Sequence, residues 1–246
     1  MYHAIMDARC PAPEDRETGA ELYDLPAAAF ERHMAFLKDN GYEVVTADRA
    51  VSDRQVVLTF DDGELNNFQI ALPILKKYNF PAYFFIIAGK AGKQGYLSWE
   101  DIRALRQAGM IVGSHGLSHQ ILTNLMDTQM EEELGASKRT IGINLDINVD
   151  TLSIPRGFCN DELISKAYEL GYKTIFISDR PRELKSSCLS RTAVKSRWTV
   201  VHLARALEGK MTWMESVLSM SKKIIKRVLR EGGYNRLRSL LIKMFN

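Results

Sequence analysis

The chain has 246 residues, a net charge of +3 and 46% hydrophobic content. These values exclude a disordered or strongly nucleic-acid-like polycation and fit one domain of the size of a single barrel. Three cysteines, at 10, 159 and 188, show no metal-type pairing, which excludes a disulfide scaffold and suits a reducing compartment. No apolar stretch reaches the ~18 residues of a membrane span, and no export signal is visible at the N-terminus, so the sequence reads as cytoplasmic.

A helix is expected from about Pro26 to Asn40, stopped at Gly41, followed by a short strand at Tyr42–Val45. The apolar run Val56-Val57-Leu58 reads as a buried strand. A helix from about Asn66 to Tyr78 leads to Pro81 and the strand Ala82–Ile87. Ser98 with Asp101 forms a capping-box pattern for a helix that ends before Gly109. Ile111–Ser114 is another short strand. A further helix begins near Asp127, and its run Glu131-Glu132-Glu133 reads as a solvated face. Asn160 caps a helix ending at Gly171, before the strand Lys173–Ile177. Trp99, Trp198 and Trp213 read as packing residues, with Trp99 as an alternative border of a sugar groove. The repeated alternation of strand and helix points to a parallel α/β barrel.

Two clusters carry the chemistry. Thr59-Phe60-Asp61-Asp62-Gly63 closes the buried strand with adjacent acids. Burying two carboxylates side by side is costly without a cation or a shared proton, although Asp-Asp-Gly also suits a helix-capping turn. His115-Gly116-Leu117-Ser118-His119 follows another strand, and two of the five histidines at i and i+4 share one face of a helical turn. Together with Asp62 they give three ligands and an open fourth position, the pattern of a catalytic zinc site.

These clusters, in this order and separation, resemble the first two motifs of the polysaccharide deacetylases, the metal-dependent carbohydrate esterases with a nodulation-type deacetylase domain. The resemblance runs from about His3 to the segment near Leu189. It implies an α/β fold built as a distorted, incomplete (β/α) barrel of about seven parallel strands. It further implies that Asp61 is the general base and that Asp62, His115 and His119 hold a divalent metal, Zn²⁺ first, with Co²⁺ or Ni²⁺ as alternatives. The family's third motif, Arg-x-Pro-Tyr-Gly, is matched by Ser153-Ile154-Pro155-Arg156-Gly157. Pro155 and Gly157 fit. Arg156 replaces the Tyr whose backbone N–H stabilises the oxyanion, a role that a different side chain preserves. Ser153 stands where the motif Arg should pair with Asp61, and Arg191 is the candidate to replace that Arg.

The late Leu-x-x-His motif has no good counterpart, because His202 lies in an expected helix. Asp179 and Arg180 are a poor match for the fourth motif. The opening Met1-Tyr2-His3 instead resembles the start of a circularly permuted exopolysaccharide subgroup, which implies that His3 is the general acid. An amide leaving group needs such a proton donor, while an ester needs it less.

The barrel is assigned to residues 1–210 and a basic amphipathic helical tail to residues 211–246. Residues 221–246 carry +7, and apolar residues line one face of each half at helical spacing. Such a tail suits peripheral contact with an anionic membrane at its inner face, or equally a helix pair docked on the barrel. No nucleic-acid motif accompanies the charge. The leading expectation is a metal-dependent deacetylase acting on N-acetylated sugar units of a polysaccharide or its lipid-linked precursor. The alternatives are an O-acetyl esterase or non-sugar amidase on the same scaffold, and a carbohydrate-binding protein with a lapsed site.

Overall fold

The computed structural model describes residues 1–48, 52–178, 184 and 188–210. The tail, Trp213 and the Asp179–Arg180 pair lie outside the described residues. In chain order the strands are β1 (Ile5–Met6), β2 (Leu25–Pro26), β3 (Glu43–Val44), β4 (Gln55–Val56), β5 (Thr59–Phe60), β6 (Tyr83–Ile86), β7 (Ile111–Ser114), β8 (Thr151–Ser153), β9 (Thr174–Ile177) and β10 (Leu189–Ser190). The helices are α1 (Ala27–Asp39), α2 (Leu72–Tyr78), α3 (Trp99–Gln107), α4 (Asp127–Leu145), α5 (Asp161–Glu169) and α6 (Val200–Leu207).

The main sheet is fully parallel, in the order β10-β9-β8-β7-β6-β5. Its open edge is extended by Tyr2, which bridges Phe60 in parallel. Tyr2 N–H donates to the Thr59 carbonyl at 2.7 Å, and Asp61 N–H donates to the Tyr2 carbonyl at 3.1 Å. Val194 N–H then donates to the Met1 carbonyl at 2.9 Å. The chain's opening residues therefore sit between β5 and the segment that follows β10, filling a seventh strand position of a distorted parallel barrel. This is the α/β barrel architecture expected from the sequence.

Local chemistry explains most elements. Ser98 accepts from Asp101 N–H and Asp101 reaches back to Ser98 N–H, so α3 starts where the capping box predicts. The Asn160 side chain accepts from Leu163 N–H at the start of α5. The helix expected from Asn66 to Tyr78 is divided: a π-helical turn, Asn67–Ala71, precedes α2. Pro73, in the first turn of α2, has no N–H to give the regular ladder. The strand expected at Tyr42–Val45 does form, as β3, but it pairs only with β4 in a separate two-stranded sheet. Of the expected strand Val56–Leu58 only Val56 lies in a strand, β4, and Val57 and Leu58 form the link to β5.

Side chains alternate across the sheet as the pleat requires. Phe84 and Ile86 join the large core beneath the helices. Tyr83 and Phe85 turn the other way and meet Phe176 in a small aromatic cluster, with Phe85 and Phe176 centroids 5.2 Å apart. Gly113 makes that cluster possible, since a Cβ there would lie 2.5 Å from Thr151 Oγ1 and 2.6 Å from the Phe85 ring. Trp99 packs against the large core and Trp198 is buried in it, in keeping with packing roles. None of the three cysteines is in a disulfide. Among the described residues, no helix is long and apolar enough to cross a membrane.

One buried histidine makes stability pH-dependent. His33 is fully buried, 3.3 Å from the Tyr2 hydroxyl through Nδ1, and burial pushes its pKa down to about 4. Above the ordinary histidine value near 6.5, both folded and unfolded chains hold it neutral and it contributes no pH dependence. Between about pH 6.5 and 4 only the unfolded chain takes up the proton, so stability falls as pH falls, by up to about 1.4 kcal/mol per pH unit. Urea titrations at pH 7 and 5 are expected to show a shallower acid loss in His33→Gln than in wild type. Equal losses would remove His33 as a cause.

Candidate active site

The acid pair sits just past the end of β5. Asp61 is buried, whereas Asp62 is partly exposed and adopts a left-handed φ of 75°, a conformation Asp tolerates better than most residues. That twist sends the two carboxylates to different partners.

Asp62 meets the histidines. Its Oδ1 lies 3.5 Å from His115 Nε2 and 3.4 Å from His119 Nε2, and the three ligand atoms lie within 4.8 Å of one another. Each imidazole is held from behind. His115 Nδ1 is 2.8 Å from the Ser153 carbonyl, and His119 Nδ1 is 2.9 Å from Glu17 Oε1. An acceptor at Nδ1 places the proton there and leaves Nε2 with a free lone pair, as a metal ligand requires. Asp62 Oδ1 is itself buried with no hydrogen-bond partner. An orphaned carboxylate oxygen facing two imidazole lone pairs fits a divalent cation well.

One expectation is corrected here. The His-x-x-x-His segment is not a helical turn: residues 115–121 form an irregular loop, with His119 at a positive φ of 65°. The loop is shaped instead by Glu133, which also corrects the solvated reading of the triple-Glu run. Glu131 and Glu132 are exposed, but Glu133 is buried. Its carboxylate accepts from the backbone N–H groups of Leu117 and Ser118 at 3.1 and 2.9 Å, and from the Ser118 hydroxyl. Gln120 Nε2 donates as well, at 3.2 Å, and the four donors satisfy the carboxylate and fix the loop between the two histidines.

Asp61 is gripped from the opposite side by Arg191. The guanidinium donates to both oxygens, Nη1 to Oδ1 at 2.8 Å and Nη2 to Oδ2 at 2.9 Å. Nη1 also donates to Thr59 Oγ1 and Nη2 to Ser153 Oγ, and Ser153 Oγ–H donates to Asp61 Oδ2 at 3.0 Å. The guanidinium lies over the Phe85 and Phe176 rings, 5.4 and 5.5 Å from their centroids, so the small aromatic cluster is its floor. Burial works to raise the Asp61 pKa, but Arg191, aided by His115 and His3, outweighs it and holds the carboxyl far below the usual range. Arg191 thus makes the contact for which the sequence has no motif Arg, and Ser153, in that motif position, joins the same network.

Pro155–Gly157 form a single 3₁₀ turn after β8. Arg156 takes a left-handed φ of 61° inside it, unusual for a side chain of its size. Gly157 follows with φ 70° and no room for a Cβ, which would lie 2.9 Å from Ser178 Cβ. The Arg156 side chain is ion-paired with Glu17. Burial opposes ionisation of Glu17, yet His119 and Arg156 together hold it at about 2.

His3 lies near the acid pair. Its ring is 4.8 Å from that of Tyr23, and Nδ1 is buried without a hydrogen-bond partner. Burial lowers its pKa, while Asp62 and Asp61 pull it back up. Of the two histidines facing Asp62, burial brings His115 down to about 4. Burial opposes a charge on His119 too, but the Glu17 bond together with the negative charges of Asp62 and Glu17 outweighs it and raises the value. In the free site His119 is the more basic ring.

The family model for polysaccharide deacetylases matches residues 48–175. The chain is 33% identical over 182 residues to the polysaccharide deacetylase-type protein YxkH of Bacillus subtilis, covering 70% of this chain and 61% of that one. It is 24% identical over 173 residues to the poly-beta-1,6-N-acetyl-D-glucosamine N-deacetylase of Staphylococcus aureus, covering 61% and 60% of the two chains. The chain therefore spans about 60% of the length of the curated relatives it matches. In fold it is similar to the Streptococcus pyogenes deacetylase PplD in complex with acetate, with TM-score 0.71, 23% identity and 84% and 95% of the two chains covered. It is also similar to a polysaccharide deacetylase of Bacillus cereus, with TM-score 0.69, 25% identity and 84% and 67% covered.

Proposed function

Because this chain belongs to the polysaccharide deacetylase family, we propose that it removes acetyl groups from N-acetylated sugar units of a polysaccharide or its lipid-linked precursor, with a divalent metal. One observation carries the reading: Asp62, His115 and His119 converge at ligand distance while Asp61, the adjacent acid, is kept apart by Arg191. The division gives two neighbouring carboxylates two jobs. A lapsed binding protein would have no need of an orphaned Asp62 oxygen or of a replacement guanidinium on Asp61.

A Zn²⁺ ion held by Asp62, His115 and His119 would supply Lewis acidity toward the acetyl carbonyl and an acidified water. Asp61, ionised throughout the working range, accepts the proton that water releases. The Arg156 N–H, presented by the left-handed turn, donates to the oxygen that becomes negative as water adds. His3 returns a proton to the sugar nitrogen as the C–N bond breaks, releasing acetate and a free amine. Poly-N-acetylglucosamine is the substrate class favoured by the name of the Staphylococcus aureus relative.

The test is acetate release from N-acetylglucosamine oligomers, measured after chelation and after return of Zn²⁺ or Co²⁺, with an O-acetylated sugar in parallel. Wild type is expected to release acetate from the amide only with metal. His3→Ala is expected to lose about 10²-fold on the amide and much less on the ester, whose alkoxide leaves more readily. Release that ignores chelation, or none with any metal, would sink the proposal.

A further inference from the structure

Glu17 lies outside every motif, in the loop between β1 and β2. Its two oxygens go to two different places. Oε1 is 2.9 Å from His119 Nδ1, and Oε2 accepts from Arg156 Nη1. The partners are 102 and 139 residues away in sequence, and both have positive φ, 65° and 61°. Resting on the deacetylase reading, we propose that Glu17 is a positioning residue that holds two arms of the site in one frame. Through His119 it fixes a metal ligand, and through Arg156 it fixes the turn carrying the oxyanion donor.

The loop that presents Glu17 is anchored for the purpose. Asp15 pairs with Lys90 at 3.2 Å. Arg16 donates to Asp24 at 2.9 Å and lies 2.8 Å from Glu64. Pro13 packs so tightly on Gly95 that a Cβ there would come within 2.9 Å of it. Three successive charged residues thus each meet a different element, and the carboxylate is carried to the site by a fixed frame. Non-glycine residues in left-handed backbone persist only where surroundings over-determine them, and Glu17 holds the side chains of two such residues at once. The two metal histidines also differ in their support. His115 leans on a backbone carbonyl, which no side-chain change removes, whereas His119 leans on Glu17.

The asymmetry supplies the test, made on the full chain with wild type, Glu17→Ala and Glu17→Gln. Three quantities are measured: Zn²⁺ affinity by chelator competition, imidazole tautomers of the metal-free protein by long-range ¹H–¹⁵N spectra, and kcat and KM for acetate release. In Glu17→Ala, Zn²⁺ affinity is expected to fall 10- to 100-fold. His119 is expected to lose its single Nδ1–H tautomer while His115 keeps its own. Glu17→Gln retains an acceptor for His119 but leaves Arg156 without its counter-charge, so it is expected to recover most of the affinity and little of kcat. This variant also stands in if the alanine protein does not fold. Wild-type affinity and an unchanged His119 tautomer in a folded Glu17→Ala protein, with wild type active, would overturn the Glu17 role alone. A wild type that neither binds Zn²⁺ nor releases acetate would overturn the deacetylase reading, and this inference with it.

Discussion

Asp61→Asn is expected to lower kcat for acetate release by roughly 10²- to 10⁴-fold, the usual range for a general base, while leaving Zn²⁺ affinity within a few-fold of wild type. The separation follows from geometry. Asp61 Oδ2 lies 3.9 Å from His115 Nε2, and both its oxygens are taken up by Arg191 and Ser153. The orphaned oxygen that faces both imidazoles belongs to Asp62. Asn keeps the shape of Asp but cannot take a proton from water. It also presents an amide N–H₂ where Arg191 already donates, so part of the grip on the side chain is lost as well. Stopped-flow or end-point acetate assays with parallel Zn²⁺ titration separate the effects. A loss of kcat fully explained by lost metal would move Asp61 into the ligand set, and an unchanged kcat would remove it from the chemistry.

The parts of this site legible in the sequence are those set by adjacent residues. Asp61-Asp62 and His115-x-x-x-His119 lie within single loops after β5 and β7, so their spacing already constrains where they project. The barrel was legible for a similar reason, since strands β6, β7 and β9 are apolar runs bounded by helix caps. What the sequence hides are contacts closed by the fold over long separations. Glu17 reaches residues more than 100 positions away, and nothing in Asp15-Arg16-Glu17 marks it apart from an exposed loop. Glu133 is one of three consecutive acids, and only the phase of α4 turns that one inward. The break of the Val56–Leu58 run after β4 was hidden too, because apolar residues read alike in a strand and in the link between two strands. Arg191 lies between: the gap at Ser153 predicts that a cation is needed, and only the fold brings it there.

Arg191→Ala is expected to destabilise the protein by about 3–5 kcal/mol at pH 7, as removal of one partner from a buried ion pair does, and to abolish most activity. Arg191 and Asp61 are both buried, with side-chain exposures of 6% and 3%, so water cannot replace the lost partner. The pH dependence distinguishes this cause from lost packing over Phe85 and Phe176. In wild type the folded Asp61 carboxyl titrates below its unfolded value near pH 4. Its ionisation therefore adds stability above that pH, and this contribution is lost as acid is added. Without Arg191 the remaining influence of burial is upward, so the folded value rises and the ionised carboxylate becomes a burden at neutral pH. The stability gap between wild type and variant is thus expected to be widest near pH 7 and to shrink below about pH 4, as urea titrations would read. The acid limb of kcat/KM for residual activity is expected to shift upward in parallel. Arg191→Lys keeps the charge but not the two parallel bonds, and is expected to recover more stability than activity. A gap that does not change between pH 7 and pH 4 would assign Arg191 to packing alone, leaving the ionisation of Asp61 to another group.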